Sequence, residues 1–246
     1  MYGNIYTGEM NGQSRKKEYR FVKVFVFCVI TGLLFLTGYE NNRIMQKTLW
    51  ELQNESFLGE TAGKKTEGKI RIILDAGHGG RDVGSSYGGM YEKDINYEVA
   101  RDLQKLLERM GAEVILFGNE DAFVGEYERI KEANSKKADL FISIHCDCLR
   151  EDTGISGMEC YYDGRGSLGM EYADALAAML KQSRGIKCNG IRQGDFYVLK
   201  NVDMPAVLVK LGSLSDPEDR RKLAEAAYRK QMVGQLAESI MQLFYR

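Results

Sequence analysis

Histidine and proline are scarce in this sequence of 246 residues, which contains two of each. Any chemistry that needs an imidazole must therefore use His78, His145 or both. Because proline is so rare while glycine occurs 27 times, we expect tight loops that rely on backbone freedom instead of rigidity. The two histidines are the first residues to consider for a functional site.

Other missing features exclude whole classes of protein. The net charge of -1 and the lack of an arginine-rich stripe give no reason to expect a nucleic-acid partner. Five cysteines without C-x-x-C spacing indicate neither a zinc ribbon nor a disulfide framework. His145-Cys146-Asp147-Cys148 resembles a mixed metal site, but strand alternation places both cysteines on the face opposite His145. We interpret the cysteines as packing residues.

The N-terminal part of the chain has the pattern of a membrane attachment. Residues 1–20 form a polar tail, and basic residues crowd just before an apolar run over 24–39, which is shorter than the ~20 residues that a spanning helix prefers. We predict an uncleaved anchor over 21–39, with a cleaved signal peptide as the alternative, and a polar stalk over 40–69. The basic flank predicts a cytoplasmic N-terminus at the cell membrane and an extracytoplasmic, or after cleavage secreted, remainder.

Strand-like and helical patterns alternate over residues 70–246, which we predict to form one domain. This alternation favours an α/β fold with a mostly parallel sheet and helices on both faces. Strands are predicted at 71–75, 113–117, 140–145, 157–162, 196–199 and 205–211. Helices are predicted at 95–110, 127–137 and 168–182, and a last one carries an apolar stripe over 233–244.

Both histidines follow apolar runs of strand character. His78 lies in a glycine-rich loop after the first strand, and His145 ends the third. Open α/β sheets place their chemistry at such strand ends. Glu92, at the start of the first long helix, adds a carboxylate. Two histidines and one glutamate suit a catalytic zinc, which keeps one position open for water, although each histidine alone fits a structural role as well. Asp75 and Asp94 are candidates to orient a ligand imidazole.

Five motifs in this order resemble the zinc-dependent N-acetylmuramoyl-L-alanine amidases of bacterial cell-wall hydrolysis, the amidase type 3 domain. The motifs are Asp75-Ala-Gly-His78-Gly-Gly, Glu92-Lys-Asp94, Ala138-Asp-Leu-Phe-Ile-Ser-Ile-His145, Gly157-Met-Glu-Cys-Tyr-Tyr162 and Pro205-Ala-Val-Leu-Val209. The resemblance implies a single domain with a six-stranded, twisted, phosphorylase/hydrolase-like sheet. It also implies one Zn2+, held by His78, Glu92 and His145.

The implied substrate is peptidoglycan, in which these enzymes hydrolyse the amide between N-acetylmuramic acid and L-alanine. A short chain with a predicted membrane anchor is also similar to the sporulation and germination amidases. An activator protein is a possible partner, although the sequence does not identify one.

Two positions depart from the family pattern. The family carries Val-Glu-x-Gly-Phe-Leu-Ser-Asn where this chain has Val209-Lys-Leu-Gly-Ser-Leu-Ser-Asp216. Lys210 thus stands in the place of the family's general base, and a lysine accepts a proton only in its neutral form. Glu159 is a second candidate for proton transfer, with a structural carboxylate as its alternative. Phe117-Gly118-Asn119 replaces a Thr-Arg pair, so a substrate-side arginine is not expected there.

Three hypotheses follow for the function. In the first, the chain is a working amidase in which Lys210 or Glu159 handles the proton. In the second, it is a catalytically impaired homologue that binds zinc and peptidoglycan as a regulatory or binding module. In the third, it is another zinc hydrolase, such as a carboxypeptidase-like enzyme, but the order of the motifs argues against this. We predict the amidase.

Overall fold

The computed structural model describes residues 69–119, 121–147, 156–164 and 166–245. The predicted tail and anchor, and all of the predicted stalk except Lys69, lie outside these residues. Within the described part of the chain, every helix is too short or too polar to cross a membrane.

In the described ranges the chain forms eight strands and six helices that largely alternate. The strands are β1 (Arg71–Ala76), β2 (Ser86–Tyr87), β3 (Met90–Tyr91), β4 (Glu113–Phe117), β5 (Leu140–Asp147), β6 (Met158–Tyr162), β7 (Cys188–Gln193) and β8 (Ala206–Ser213). The helices are α1 (Glu92–Arg109), α2 (Glu126–Ser135), α3 (Ser167–Gln182), α4 (Tyr197–Asn201), α5 (Pro217–Ala224) and α6 (Ala226–Gln242).

Six strands form one sheet in the order β4-β1-β5-β8-β6-β7. All neighbouring pairs are parallel except β8 and β6, which run antiparallel. This confirms the prediction of an α/β fold with a mostly parallel, six-stranded sheet. The remaining strands, β2 and β3, form a small antiparallel hairpin in the connection between β1 and α1.

Helices cover both faces of the sheet because its central strands are apolar on both faces. On one face Ile73, Phe141 and Leu208 pack in a cluster that includes residues of α2 and α4. Neighbouring strand residues point to the opposite face, where Leu74 and Ile142 are also fully buried. Helix α1 contacts β1, β4 and β5, and α6 packs against α1 and α3. Strands buried on two faces explain the nearly continuous apolar runs in the sequence.

Helix α1 matters for the site because its first residue is Glu92. The acidic residues Glu92 and Asp94 lie in the first turn, where the partial positive charge of the helix N-terminus favours them. The chain leaves the helix through Gly111, whose φ of 97° suits a glycine. The apolar face is buried and carries Ile95, Val99, Leu103, Leu106 and Leu107. This packing fixes where the helix begins.

One strand prediction was wrong. Residues 196–199, predicted as a strand, lie mainly in the short helix α4, and the sixth strand is β7 instead. Four apolar residues are too few to separate the periods of a strand and a helix. Sequence patterns did not indicate strand β7 because it lies at the sheet edge and is rich in polar residues, with Asn189, Arg192 and Gln193 all exposed.

The buried face of α1 leads to a stability prediction. We expect Leu107→Ala to lower the free energy of unfolding by ~2–5 kcal/mol, since Leu107 is fully buried and the truncation leaves a cavity. Leu168→Ala is a matched control at a side chain that is 50% exposed, with an expected change of less than ~0.5 kcal/mol. Urea denaturation of both variants measures the difference, and equal losses would contradict this account of the core.

Candidate metal centre

Three side chains that are distant in sequence meet at the carboxyl ends of β1 and β5. His78 lies in the loop after β1, His145 lies near the end of β5, and Glu92 begins α1. Glu92 Oε1 is 2.8 Å from His145 Nδ1, and Glu92 Oε2 is 3.3 Å from His78 Nε2. One nitrogen or oxygen atom from each residue lies within 4.8 Å of the other two. The structure thus brings the three predicted ligands together.

The donor atoms and the space around them fit a metal ion such as zinc. Two imidazole nitrogens and one carboxylate oxygen are a ligand set that catalytic zinc sites use. Glycine makes the approach possible, because a Cβ at Gly77 would lie 2.1 Å from Cε1 of His145. A Cβ at Gly84 would lie 2.5 Å from Cδ2 of His78 and 2.8 Å from Oε2 of Glu92. Both glycines therefore keep room for the cluster.

Glu92 is held by three donors in addition to the histidines. The backbone N–H of Cys146 donates to Oε1 at 3.0 Å, and that of Ser85 donates to Oε2 at 2.8 Å. Asn96, one turn further along α1, donates to Oε1 at 3.4 Å and to the carbonyl of Gly77 at 3.2 Å. The side chain of Glu92 is only 2% exposed. Sequence reasoning missed Asn96. Its spacing of four residues from Glu92 could have indicated the contact, because residues four apart are neighbours on a helix surface.

A second carboxylate at hydrogen-bond distance from the His78 imidazole, on its Nδ1 side, is that of Asp82, which sequence reasoning missed. Its Oδ2 is 2.9 Å from His78 Nδ1, and its Oδ1 accepts from the backbone N–H of Gly84. Asp75 has different contacts from those expected, since it faces Arg129 and Ser143 at 2.6 and 2.8 Å. Asp94 lies half-buried in the first turn of α1. Asp82 therefore orients the imidazole of His78.

The loop that carries His78 has unusual backbone geometry. The φ angle of His78 is 68°, in the left-handed region, and this conformation costs a non-glycine residue ~1–3 kcal/mol. The buried Arg129 of α2 donates hydrogen bonds to the carbonyls of Ala76 and His78. The conformation of His78 is thus held by contacts from another part of the chain.

The charges of the cluster shift the pKa values of its members in opposite directions. Burial alone would lower the pKa of His78, but the hydrogen bonds and charges of Glu92 and Asp82 outweigh it and raise the pKa to about 9. Burial alone would raise the pKa of Glu92, but hydrogen bonds from His145 and His78 and their charges hold it far below its ordinary value. The cluster therefore contains a firmly ionised carboxylate.

Lys210 lies beside the cluster, and its ammonium group has several partners. On β8 it pairs in register with His145 of the neighbouring strand β5. Its Nζ is 2.7 Å from Oδ2 of Asp147 and lies over the ring of Tyr161, 5.0 Å from the centroid. Because the strands are parallel and in register, Lys210 and His145 share one face of the sheet.

Glu159 pairs in register with Lys210 from the other side, on the antiparallel strand β6. The carboxylate is buried and accepts from the hydroxyl of Tyr161 at 2.6 Å and from Nε of Arg192 at 2.8 Å. Both oxygens of Glu159 thus have hydrogen-bond donors of their own. This arrangement matches a structural carboxylate better than a group that exchanges protons with a substrate.

The fold and the site together are typical of metal-dependent hydrolases. A mostly parallel α/β sheet with a two-histidine, one-glutamate cluster at its strand ends is an arrangement suited to metal-assisted hydrolysis. The model of the N-acetylmuramoyl-L-alanine amidase family, Amidase_3, matches residues 72–242. The chain therefore belongs to the N-acetylmuramoyl-L-alanine amidase family.

Individual relatives agree with this assignment. The chain is similar to the uncharacterized protein YqiI of Bacillus subtilis, with 33% identity over 73% of this chain and 86% of YqiI. It is 32% identical to the N-acetylmuramoyl-L-alanine amidase LytC of Bacillus subtilis over 64% of this chain, although the match spans only 32% of LytC. The solved N-acetylmuramoyl-L-alanine amidase AmiC2 of Nostoc punctiforme aligns with a TM-score of 0.68 and 32% identity, over 74% of this chain and 100% of AmiC2.

The pKa of His78 predicts a pH dependence of stability once metal is removed with EDTA. The proton on His78 stabilises the folded state fully below the unfolded pKa of about 6.5 and is lost as the pH rises through about 9. We therefore expect the melting temperature in EDTA to decrease as the pH rises from about 6.5 to about 9. His78→Gln should remove most of this decrease. Scanning fluorimetry measures both, and a melting temperature that is flat or rising over this range would contradict the prediction.

Proposed function

We propose that the chain is a zinc-dependent amidase that hydrolyses the bond between N-acetylmuramic acid and L-alanine in peptidoglycan. The observation that carries the proposal is the cluster of His78, Glu92 and His145, whose donor atoms lie within 4.8 Å of one another. The choice of reaction is supported by the family and by those relatives that carry the name N-acetylmuramoyl-L-alanine amidase. The three side chains would hold one Zn2+, which when bound polarises the scissile carbonyl and activates water.

The imidazole side of the site is accessible to a substrate, and neighbouring residues hold the candidate ligands in place. Glu92 is buried, whereas the side chains of His78 and His145 are 25% and 23% exposed, so a substrate approaches from the imidazole side. Asp82 orients the ring of His78, and the N–H groups on Glu92 keep its carboxylate in place. Such preorganisation lowers the cost of ordering the site when the substrate binds.

Proton transfer is the step at which this chain departs from the family pattern. Lys210 stands where the family has a carboxylate, and its Nζ lies 2.7 Å from Oδ2 of Asp147, so the amine is engaged in a salt bridge. Glu159 is occupied by Tyr161 and Arg192. We therefore propose slow turnover, without the ~10²- to 10⁴-fold contribution that a positioned general base provides.

The Lys210–Asp147 salt bridge also favours a second candidate function. With an ammonium group in the place of the family's glutamate, the chain would bind zinc and peptidoglycan as a regulatory or binding module. This module would be retained on insoluble peptidoglycan and would release no stem peptides. Only an assay of turnover separates the two functions.

The decisive experiment compares stem-peptide release from purified peptidoglycan by the wild-type chain and by Lys210→Glu combined with Asp147→Asn. The second substitution avoids placing the new carboxylate at position 210 beside that of Asp147. We expect the double variant to release peptides ~10²- to 10⁴-fold faster than the wild type. Asp147→Asn alone is the matched control for loss of the salt bridge.

The outcomes of this assay are distinct. Slow release by the wild type that is abolished by EDTA and by His78→Ala supports the amidase. Activity of the double variant alone supports the binding module. A double variant no faster than the wild type would show that the general base is another group.

We also propose that residues 21–39 anchor the chain in the cell membrane, with residues 70–246 outside the cytoplasm. The proposal rests on the basic flank and apolar run in the sequence and on the location of the proposed substrate. Intact cells carrying the chain with a C-terminal epitope should lose the epitope to an external protease. Protection in intact cells together with digestion after lysis would contradict this orientation.

A further inference from the structure

His78 combines two requirements that oppose each other. Its imidazole belongs to the candidate metal centre with Glu92 and His145, so the position cannot be a glycine. Its φ of 68°, however, is one that glycine adopts most easily. Among the described non-glycine residues, only Lys137 shares a positive φ. Because this conformation is unfavourable on its own, contacts from elsewhere must hold it.

Arg129 supplies those contacts from α2. Its Nη1 donates to Oδ1 of Asp75 at 2.6 Å and to the carbonyl of Ala76, and its Nη2 donates to the carbonyl of His78. Its Nε donates to the carbonyl of Val124 at 2.8 Å. All three nitrogens of the guanidinium group are thus engaged. Three of the four acceptors belong to residues 75–78, the segment that ends at His78.

The surroundings make this set of contacts rigid. The side chains of Arg129 and Asp75 are 4% and 2% exposed, so solvent screens their charges little. Ser143 of β5 donates to the second oxygen of Asp75 at 2.8 Å, which fixes the carboxylate from the other side. A planar guanidinium group presents its donors in a fixed fork, whereas the ammonium group of lysine does not. The two carbonyl contacts therefore depend on arginine and not only on positive charge.

We infer that Arg129 is a positioning residue for the metal centre, which holds the left-handed backbone of His78 so that its imidazole faces Glu92 and His145. The inference rests on the proposed zinc-dependent function. Without the fork, the backbone at residue 78 relaxes toward ordinary φ values, and metal binding must reorder the loop. The expected consequence is weaker zinc binding by a protein that is still folded.

The test compares Arg129→Lys with Arg229→Lys in the full-length chain. Arg229 is a matched control because it also donates to two carbonyls, those of Leu223 and Ala224, and to the carboxylate of Glu98, but at the α5–α6 junction. The zinc dissociation constant is measured by competition with a chromogenic chelator, and circular dichroism checks the fold. We expect the constant to rise ~10- to 100-fold in Arg129→Lys and to stay within about twofold in Arg229→Lys.

A second readout reports on the geometry of the site itself. The visible spectrum of the Co2+-loaded wild type should be reproduced by Arg229→Lys and altered by Arg129→Lys, because ligand positions determine the band energies. A merely structural role would leave both the spectrum and the zinc affinity of the folded variant unchanged. Unchanged values for folded Arg129→Lys would overturn the inference.

Two further outcomes are decided by the same assay. If Arg129→Lys does not fold, Ser143→Ala replaces it, because it loosens Asp75 without touching the guanidinium group. A zinc dissociation constant raised severalfold then supports the inference, and an unchanged one overturns it. If the wild type and His78→Ala bind zinc equally weakly, this result contradicts both the proposed function and the present inference. A wild type that binds zinc well, beside an Arg129→Lys variant that binds it equally well, refutes this inference alone.

Discussion

The buried carboxylate of Glu92 is the constraint on which the site depends. It is 2% exposed and lies between two imidazoles, so it brings together the loop after β1, the start of α1 and the end of β5. A buried charge is tolerated only where partners surround it, and the backbone N–H groups of Ser85 and Cys146 complete that set. Gly77 and Gly84 are then required, because a side chain at either position would collide with the cluster.

The proposed chemistry combines an intact metal centre with an altered environment for the proton. His78, Glu92 and His145 form one compact group, whereas Lys210 faces Asp147 where the family pattern has a glutamate. The candidate metal ligands thus follow the family pattern, whereas the candidate for proton transfer does not.

Much of the fold and the core of the site could be predicted from the sequence, because both depend on local patterns. The apolar runs that end at Asp75 and His145 are strands buried on two faces, and Glu92 stands at a clear helix start. The edge strand β7 could not be found because a short strand with mostly exposed polar residues carries no clear hydrophobic period. Asp82 and Arg129 were missed for a different reason. Their roles come from contacts formed by loop closure and by packing between distant segments, which spacing in the chain does not show.

The row of charged residues across the sheet couples the charges that neighbouring positions can carry. Asp147, Lys210, Glu159 and Arg192 alternate in sign, and each contacts or pairs in register with the next. The substitution Lys210→Glu alone would leave three neighbouring carboxylates beside one arginine. We therefore expect the effect of a charge change at position 210 to depend on whether position 147 carries a carboxylate.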